Sequence, residues 1–466
     1  MLGMGNMRQW LMNISLVGGW FPAAAFAVVA VLSVTLLVSA AVSKRDGRIL
    51  ATVLPIGVAA VSGMIGYVVA WLLSDVFVVF GVGLGSRVMA WVAAGFAIAG
   101  FAIVHIVLSR GMMRVAAAIL TVFAILAAAI GIDQSYGEYA TIGSLFGEDS
   151  YSQADLTGLA KRKDLITVAQ WRKQAANGTI RNIPANGTVN KIDIPVTKSQ
   201  FEARKALVYL PPAALADSKR KPALPVVLML SGQPGSPGRV FQAGGIQTMM
   251  DGYAKTHDGL APIVIAADQL GADSHNTLCV DSKVYGNALT YLTQDVVDWV
   301  KTNLPAAQDA KDWAIAGFSQ GATCSLQIGV NHPDLFGTMI PTDSEIKPTN
   351  GSRQEMIDRF FDGDTTAYEN QVPVNAIRNH APTHQMLIIG AGEKDTTSIR
   401  NVKTIAPVAA KAGMRVAAVE SSGNAHDWHA VQDVLRYGLA VFGHDTGLDG
   451  ANPNLSDYPN LKRITI

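Results

Sequence analysis

The stretch that decides the fold is Trp313-Ala-Ile-Ala-Gly-Phe-Ser-Gln-Gly-Ala322, and an apolar helical pattern follows it as far as Val330. An apolar run that reaches a serine between two glycines and continues into a helix predicts a strand, a sharp turn and a helix. Gly317 and Gly321 let the backbone turn tightly and leave the Ser319 hydroxyl exposed. Such a serine can attack an acyl carbon if a histidine and a carboxylate reach it. The G-x-S-x-G pattern is weak alone, so its interpretation depends on the rest of the chain.

Short apolar runs predict β-strands throughout the second half of the chain, and amphipathic segments between them predict helices. The predicted strands are Lys191–Val196, Lys205–Tyr209, Val226–Leu230, Ile263–Ala267, Trp313–Ala316, Thr338–Thr342, Met386–Ile389 and Arg415–Val419. The predicted helices are Thr248–Thr256, Thr290–Leu304, Gln320–Asn331, Val402–Ala412 and His429–Phe442. This alternation indicates a mostly parallel sheet covered on both faces. Catalytic groups would then lie on loops at the carboxyl ends of the strands.

A small loop, Ser231-Gly-Gln-Pro-Gly235, follows the predicted strand Val226–Leu230. A loop of this kind can present a backbone N–H to an oxyanion, and the N–H of the residue after the nucleophile can supply the second donor. We therefore predict Gln233 and Gln320 as oxyanion donors. The alternative is an ordinary tight turn.

A carboxylate follows another predicted strand, in Gly390-Ala-Gly-Glu-Lys-Asp395. A carboxylate at a strand end can orient a histidine and stabilise its imidazolium. Asp395 is the preferred candidate because it lies closest to the following helix, and Glu393 competes with it. Asp362 and Asp364 lie in an earlier polar segment and are weaker candidates.

The candidate general base is His426, in a loop of small residues before the last predicted helix. His429 is the alternative, and it would fall inside that helix. The chain order Ser319, Asp395, His426, with each residue following its own strand, is the order of α/β-hydrolases. No clustered Cys and His ligands and no phosphate-binding loop occur, so neither a metal nor a nucleotide cofactor is predicted.

Residues 1–133 carry only ten formally charged side chains and contain four long apolar runs, Trp20–Val42, Leu50–Leu73, Val88–Leu108 and Met113–Ile132. Each run is near the length of a membrane-spanning helix. The expected organisation is a four-span transmembrane domain at 1–133, a connector at 134–190 and an α/β domain at 191–466. The bilayer is the expected partner, and the nearly balanced net charge of +1 implies no nucleic acid.

Basic residues in the loops between spans predict the orientation. Lys44, Arg45 and Arg48 lie between the first two spans, and Arg110 and Arg114 lie between the last two. The positive-inside rule places these loops in the cytoplasm. We therefore predict a multi-pass plasma-membrane protein whose catalytic domain lies on the extracytoplasmic side.

Residues 200–445 resemble the putative-esterase (esterase D-like) family of α/β-hydrolases, which includes actinobacterial mycolyltransferases. The resemblance rests on Gly317-Phe-Ser-Gln-Gly321, Gly392-Glu-Lys-Asp395 and His426-Asp-Trp428, with Cys279-Val-Asp-Ser282 and His332-Pro-Asp-Leu-Phe-Gly337 typical of an actinobacterial branch. It implies a Ser-His-Asp triad and acyl-ester chemistry. The four spans are a departure, because mycolyltransferases are usually secreted without them.

Three functions are consistent with these observations: an esterase acting on an envelope lipid or glycolipid, an acyltransferase that moves the acyl group to a sugar or lipid hydroxyl, and an inert envelope scaffold. The sequence contains two cysteines, Cys279 and Cys324. Two thiols in an oxidising compartment favour a disulfide. Two buried free thiols are the alternative.

Overall fold

A computed structural model describes residues 2–42, 48–77, 84–149, 151–180 and 182–466. Lys44 and Arg45, which contribute to the predicted orientation, lie outside the described residues. The chain divides into two compact units. The first unit is residues 1–148 with the segment Ala425–Asp427, and the second is Asp149–Asn424 with Trp428–Ile466.

The first unit is helical. Its helices are α1 Leu2–Met12, α2 Trp20–Ala41, α3 Arg48–Trp71, α4 Gly85–Leu108, α5 Met112–Tyr136 and α6 Ile142–Leu145, and a π-helical turn, Leu72–Val76, extends α3. Four of these segments are long and apolar enough to cross a membrane: Trp20–Ala41, Thr52–Val76, Gly85–Leu108 and Met112–Tyr136. They correspond to the four apolar runs of the sequence and are consistent with membrane insertion.

Glycines let the long helices of this unit pack closely. A Cβ on Gly100 of α4 would lie 2.4 Å from Ser62 Oγ of α3. A Cβ on Gly95 would lie 2.8 Å from the Ala128 Cβ of α5. Small residues at helix crossings allow close van der Waals packing, which is typical of membrane-spanning helices.

The second unit is built on a large sheet. Its strands are β1 Ser152–Gln153, β2 Leu165–Ile166, β3 Thr188–Ile192, β4 Ala206–Leu210, β5 Lys221–Pro222, β6 Val226–Leu230, β7 Ile263–Ala266, β8 Asp281–Ser282, β9 Gly286–Asn287, β10 Trp313–Phe318, β11 Thr338–Thr342, β12 Met386–Gly392, β13 Arg415–Ser421 and β14 Leu461–Arg463. Ten of them form one sheet in the order β1-β3-β4-β7-β6-β10-β11-β12-β13-β14. The pairings from β7 to β13 are all parallel, which confirms the predicted mostly parallel sheet.

Helices cover both faces of this sheet. The helices of the second unit are α7 Val168–Ala176, α8 Pro212–Leu215, α9 Pro237–Gln242, α10 Ile246–Lys255, α11 Ala288–Thr290, α12 Val296–Asn303, α13 Gln320–Asn331, α14 Arg353–Phe360, α15 Thr365–Glu369, α16 Pro373–Asn379, α17 Thr396–Lys411 and α18 Trp428–Asp445, with a π-helical turn, Tyr291–Asp295, before α12. Strand β10 shows the two-sided burial, because Trp313 and Ile315 enter one core cluster and Ala314 and Ala316 the other. Alternate side chains of a strand point to opposite faces, so both faces are apolar.

Part of the predicted connector has structure within the second unit. Strand β1 pairs in parallel with β3. Trp171 of α7 is fully buried, and its ring N–H donates to the Asp258 carbonyl oxygen at 3.2 Å. These contacts tie residues 152–176 to the sheet domain.

Candidate active site

Ser319 occupies the turn between β10 and α13, as the sequence predicts. Its φ is +55°, a region that L-residues rarely adopt. A Cβ on Gly317 would lie 2.2 Å from the Gly321 carbonyl oxygen, and a Cβ on Gly321 would lie 2.3 Å from the Ser231 carbonyl oxygen. Only glycine fits both positions, so the motif's glycines are required by the close approach of the turn to β10 and β6.

The loop Ser231–Gly235 lies beside this turn. A Cβ on Gly232 would be 3.6 Å from the Ser319 Cβ, so the loop backbone borders Ser319. Gln233 follows directly, and its side-chain amide donates to the Ser274 carbonyl oxygen at 3.2 Å. Gln320 is the first residue of α13, and its buried side chain donates to Asn276 Oδ1 at 3.4 Å. Both predicted oxyanion donors therefore lie on segments next to Ser319.

Asp395 ends the loop after β12 and caps α17. Its Oδ1 accepts the N–H groups of Thr397 at 3.2 Å and Ser398 at 3.0 Å. This cap explains why α17 begins at Thr396 and not at the predicted Val402. The Asp395 side chain is buried, unlike that of an ordinary surface cap.

The competing carboxylates have other contacts. Glu393 accepts from Lys462 Nζ at 2.8 Å and from the Gly423 N–H at 2.7 Å, and the Lys462 ammonium holds the pKa of Glu393 below its ordinary value. Asp362 pairs with Lys283 at 2.8 Å, and Asp364 caps α15.

His426 lies in the short loop between β13 and α18. Asn424, two residues before His426, is held by a hydrogen bond, because its carbonyl oxygen accepts the Lys394 N–H at 2.8 Å. Trp428, just after it, is buried with its ring centroid 5.0 Å from that of Phe318. His426 is partly exposed, whereas its alternative, His429, lies in the first turn of α18.

The structure brings His426 and Asp395 together with a third residue, Asp343. One ring nitrogen of His426 and one carboxylate oxygen from each aspartate all lie within 4.8 Å of one another. An imidazole and two carboxylates are also ligand types that bind a divalent cation. The group lies at the carboxyl ends of β11, β12 and β13.

Asp343 is the functional candidate that the sequence reasoning missed. It follows β11 directly, its φ is +55°, and its buried Oδ1 accepts the Gly392 N–H at 2.9 Å. Thr342, the residue before Asp343, contacts the serine turn, because its carbonyl oxygen accepts the Ser319 N–H at 3.0 Å. The position of Asp343 at the carboxyl end of a predicted strand was the available signal.

Cys279 and Cys324 form a disulfide with a sulfur–sulfur distance of 2.07 Å. The structure therefore contains the disulfide and not the alternative, two buried free thiols. It joins the loop before β8 to α13, the helix that begins just after Ser319. Helix α13 is thus covalently attached to a neighbouring loop.

Asp343, Asp395 and His426, which follow β11, β12 and β13, form what we call the Asp–His group. Together with the parallel sheet and the serine turn after β10, this group defines an α/β-hydrolase. The model of the family described as "Putative esterase" matches residues 199–438. An uncharacterised protein of Corynebacterium glutamicum is 32% identical over 333 residues, which cover 70% of this chain and 74% of that protein. The chain belongs to this esterase family, as its motifs indicate, and is an esterase-like hydrolase.

Solved structures similar to the chain include a ferulic acid esterase, at 16% identity and a TM-score of 0.44, which covers 57% of this chain and 99% of that one. An S-formylglutathione hydrolase of Agrobacterium tumefaciens is 17% identical with a TM-score of 0.45, covering 57% and 99%. MPT51 of Mycobacterium tuberculosis is 13% identical with a TM-score of 0.40, covering 55% and 98%.

Proposed function

We propose that this protein is a membrane-anchored serine esterase that cleaves an acyl ester of an envelope lipid or glycolipid through Ser319, His426 and Asp395. The observation that carries the proposal is the grouping of His426 with Asp395 and Asp343 at the carboxyl ends of the strands that follow the Ser319 turn. A nucleophile, a base and an orienting carboxylate are the parts that acyl transfer through a covalent intermediate requires.

In the proposed mechanism, His426 accepts the proton of the Ser319 hydroxyl as its oxygen attacks the ester carbonyl carbon. Asp395 orients the imidazole and stabilises the imidazolium. The backbone N–H groups of Gln233 and Gln320 bind the oxyanion. His426 then protonates the leaving alcohol, and an acyl-enzyme remains. Water, activated by His426, releases the acid and regenerates Ser319.

The apolar helices of the first unit support a membrane-borne substrate. Four helices that can span a bilayer keep an attached esterase close to lipid esters. Arg110, between the third and fourth of these helices, and Arg114, in the first turn of the fourth, favour an extracytoplasmic position for the second unit. The Cys279–Cys324 disulfide supports the same placement, because disulfides persist in oxidising compartments.

The central test is covalent labelling of the full-length, detergent-solubilised protein with a fluorophosphonate probe. We expect labelling of the wild type and none of Ser319→Ala, because the probe reacts with an activated serine. Ser325→Ala is a matched control, since Ser325 lies on the same helix and its hydroxyl donates only locally, to the Ala322 carbonyl oxygen at 2.8 Å. Absence of labelling in folded wild-type protein would favour an inert scaffold. Labelling that a chelator abolishes would favour a metal centre at the Asp–His group.

The substrate class needs a separate experiment. Wild-type protein in vesicles is given a long-chain glycolipid ester and a soluble short-chain ester, and the released acids are measured. We expect hydrolysis of the membrane ester, and activity on the soluble ester alone would contradict the lipid assignment. Adding a sugar acceptor separates hydrolysis from acyl transfer, because a transferase would acylate the sugar.

A further inference from the structure

We propose that Gln269, three residues after β7, is a positioning residue that holds the oxyanion loop Ser231–Gly235 against the nucleophile turn. The inference rests on the proposed function, because a defined loop position has catalytic value only if the loop binds an oxyanion. Gln269 is not one of the reacting groups in the proposed mechanism. It is fully buried, in a place where an amide must find hydrogen-bond partners.

The Gln269 side chain bridges the two segments that would supply the oxyanion donors. Its Nε2 lies 2.7 Å from the Ser231 carbonyl oxygen and 3.3 Å from Ser231 Oγ. The same nitrogen lies 3.2 Å from Gln320 Oε1. The Gln269 amide thus contacts Ser231, in the loop that contains Gln233, and the side chain of Gln320, which follows Ser319.

A second contact holds the other end of the loop. Arg204 Nη2 donates to the Gly235 carbonyl oxygen at 2.9 Å. Its guanidinium is fixed by the buried Asp268, with Nε to Oδ2 at 2.9 Å and Nη2 to Oδ1 at 2.8 Å. Asp268 precedes Gln269, so two adjacent residues hold both ends of the loop, one of them through Arg204.

The nucleophile side of this bridge is also fixed. Gln320 Nε2 lies 3.7 Å from the Cys279 sulfur, and Cys279 is bonded to Cys324 of α13. Oxyanion donors act only when they already stand about 2.7–3.1 Å from the developing charge. A displacement of about 1 Å can cost roughly 100-fold in rate, so losing the Gln269 bridge should impair turnover more than substrate binding.

The test compares Gln269→Met with Gln385→Met in the full-length protein. Gln385 is a matched control because it is also buried, and its Nε2 donates to the Gly329 and Phe336 carbonyl oxygens, both at 2.7 Å. It contacts the far end of α13 and not the oxyanion loop. Both variants lose a buried amide that donates to the backbone, but only one loses the bridge to Ser231.

We expect Gln269→Met to lower kcat for a short-chain ester by about 10–100-fold with KM changed less than about 3-fold, and Gln385→Met to leave kcat within about 3-fold of wild type. Hydrogen exchange at residues 231–235 should accelerate only in Gln269→Met. If Gln269→Met does not fold, Arg204→Lys tests the other end of the loop, with a smaller expected loss of kcat of about 3–10-fold.

Unchanged kcat and unchanged loop exchange in folded Gln269→Met would overturn the inference, as would an equal loss of kcat in Gln385→Met. Failure of the proposed function is recognised separately, by the absence of wild-type labelling at Ser319. In that case the role of Gln269 in oxyanion binding falls as well, even if the loop exchange shows that it holds the loop.

Discussion

The two units of this protein place their apolar side chains in opposite ways. Among the described residues, the large apolar side chains that remain exposed lie between residues 7 and 146, with Ile466 as the exception. Met64 is 69% exposed, whereas Trp313 in the second unit is fully buried. The first unit leaves apolar surface exposed, as helices with the composition of membrane spans do, whereas the second unit buries it, as folding in water favours.

The two units also differ in the polar side chains that they bury. The second unit buries the aspartates Asp268, Asp295, Asp343, Asp395 and Asp433. Among the described residues of the first unit, the buried polar side chains are Ser74, His105 and Ser144, together with Asp427 in the segment Ala425–Asp427. Buried charges are costly unless they are hydrogen-bonded, and the contacts of Asp268 with Arg204 and of Asp295 with Ser199 meet this condition.

The largest expected effect concerns the two aspartates of the candidate site. Asp395→Asn should lower kcat/KM by about 10³–10⁴-fold, because an amide no longer stabilises the imidazolium. Asp343→Asn should lower it less, because Asp343 Oδ1 already accepts the Gly392 N–H and its main role would be to hold the end of β12. Steady-state kinetics and thermal denaturation of both variants test this. A larger loss in Asp343→Asn would transfer the orienting role to the residue after β11.

Truncating an apolar side chain in each unit tests the comparison directly. Trp313→Ala should destabilise the second unit by about 3–5 kcal/mol, because it removes a buried ring and its hydrogen bond to the Ala307 carbonyl oxygen at 2.7 Å. Met64→Ala should change stability by no more than about 0.5 kcal/mol, since its exposed side chain faces outward from the helices. Urea titrations in detergent measure both. A large effect at Met64 would mean that this face packs against protein.

The disulfide tests which side of the membrane the second unit occupies. It closes a loop with a sequence separation of 45 residues, so replacing both Cys279 and Cys324 by alanine should cost about 2–4 kcal/mol. In intact cells, a maleimide-polyethylene glycol reagent should shift the wild-type band on a denaturing gel only after reduction. A shift without reductant would contradict the extracytoplasmic placement.

The smallest expected effect is a pH-dependent one at Asp295. Burial raises the pKa of Asp295, but hydrogen bonds from Ser199, Lys198 and Thr197 outweigh it and hold the pKa below its ordinary value. A carboxylate with a depressed pKa stabilises the fold above its unfolded pKa of about 4, and this stabilisation is lost as the pH falls through the folded pKa. Asp295→Asn should therefore cost about 1–3 kcal/mol at pH 7 and much less near pH 3.

Asp298→Asn is the matched control, since Asp298 lies nearby in α12 but forms an exposed ion pair with Lys198 at 2.7 Å. Such surface pairs contribute little to stability, because solvent screens them. Denaturation curves at the two pH values distinguish the variants. Equal pH dependence in the Asp295 variant and the wild type would contradict the assignment.

Local patterns were sufficient for much of the fold. The strands Val226–Leu230 and Thr338–Thr342 and the helix Gln320–Asn331 have the bounds that the sequence predicts. Strand β10 extends two residues beyond its predicted end, to Phe318, because the ladder to β11 continues as far as Thr342. Pairing with a neighbouring strand, which the local pattern does not contain, decides such ends.

The site was predictable only in part, because residue type limits the candidates but contacts select among them. Glu393 and Asp395 are similar carboxylates two positions apart, yet Lys462 and Gly423 bind the first while the second lies near His426. Lys462 comes from β14, which pairs antiparallel with β13. That pairing is a long-range event, so the local sequence around residue 393 does not encode it.

The sequence by itself determined the apolar helices, the alternation of strands and helices, and the serine turn. The tertiary structure decided that β11 lies between β10 and β12, which brings Asp343 to the Asp395–His426 group. It also decided that Gln269 reaches Ser231, because β6 and β7 are neighbours in the sheet. Periodicity encodes how each segment folds, but strand order sets which loops meet, and strand order depends on packing across the whole domain.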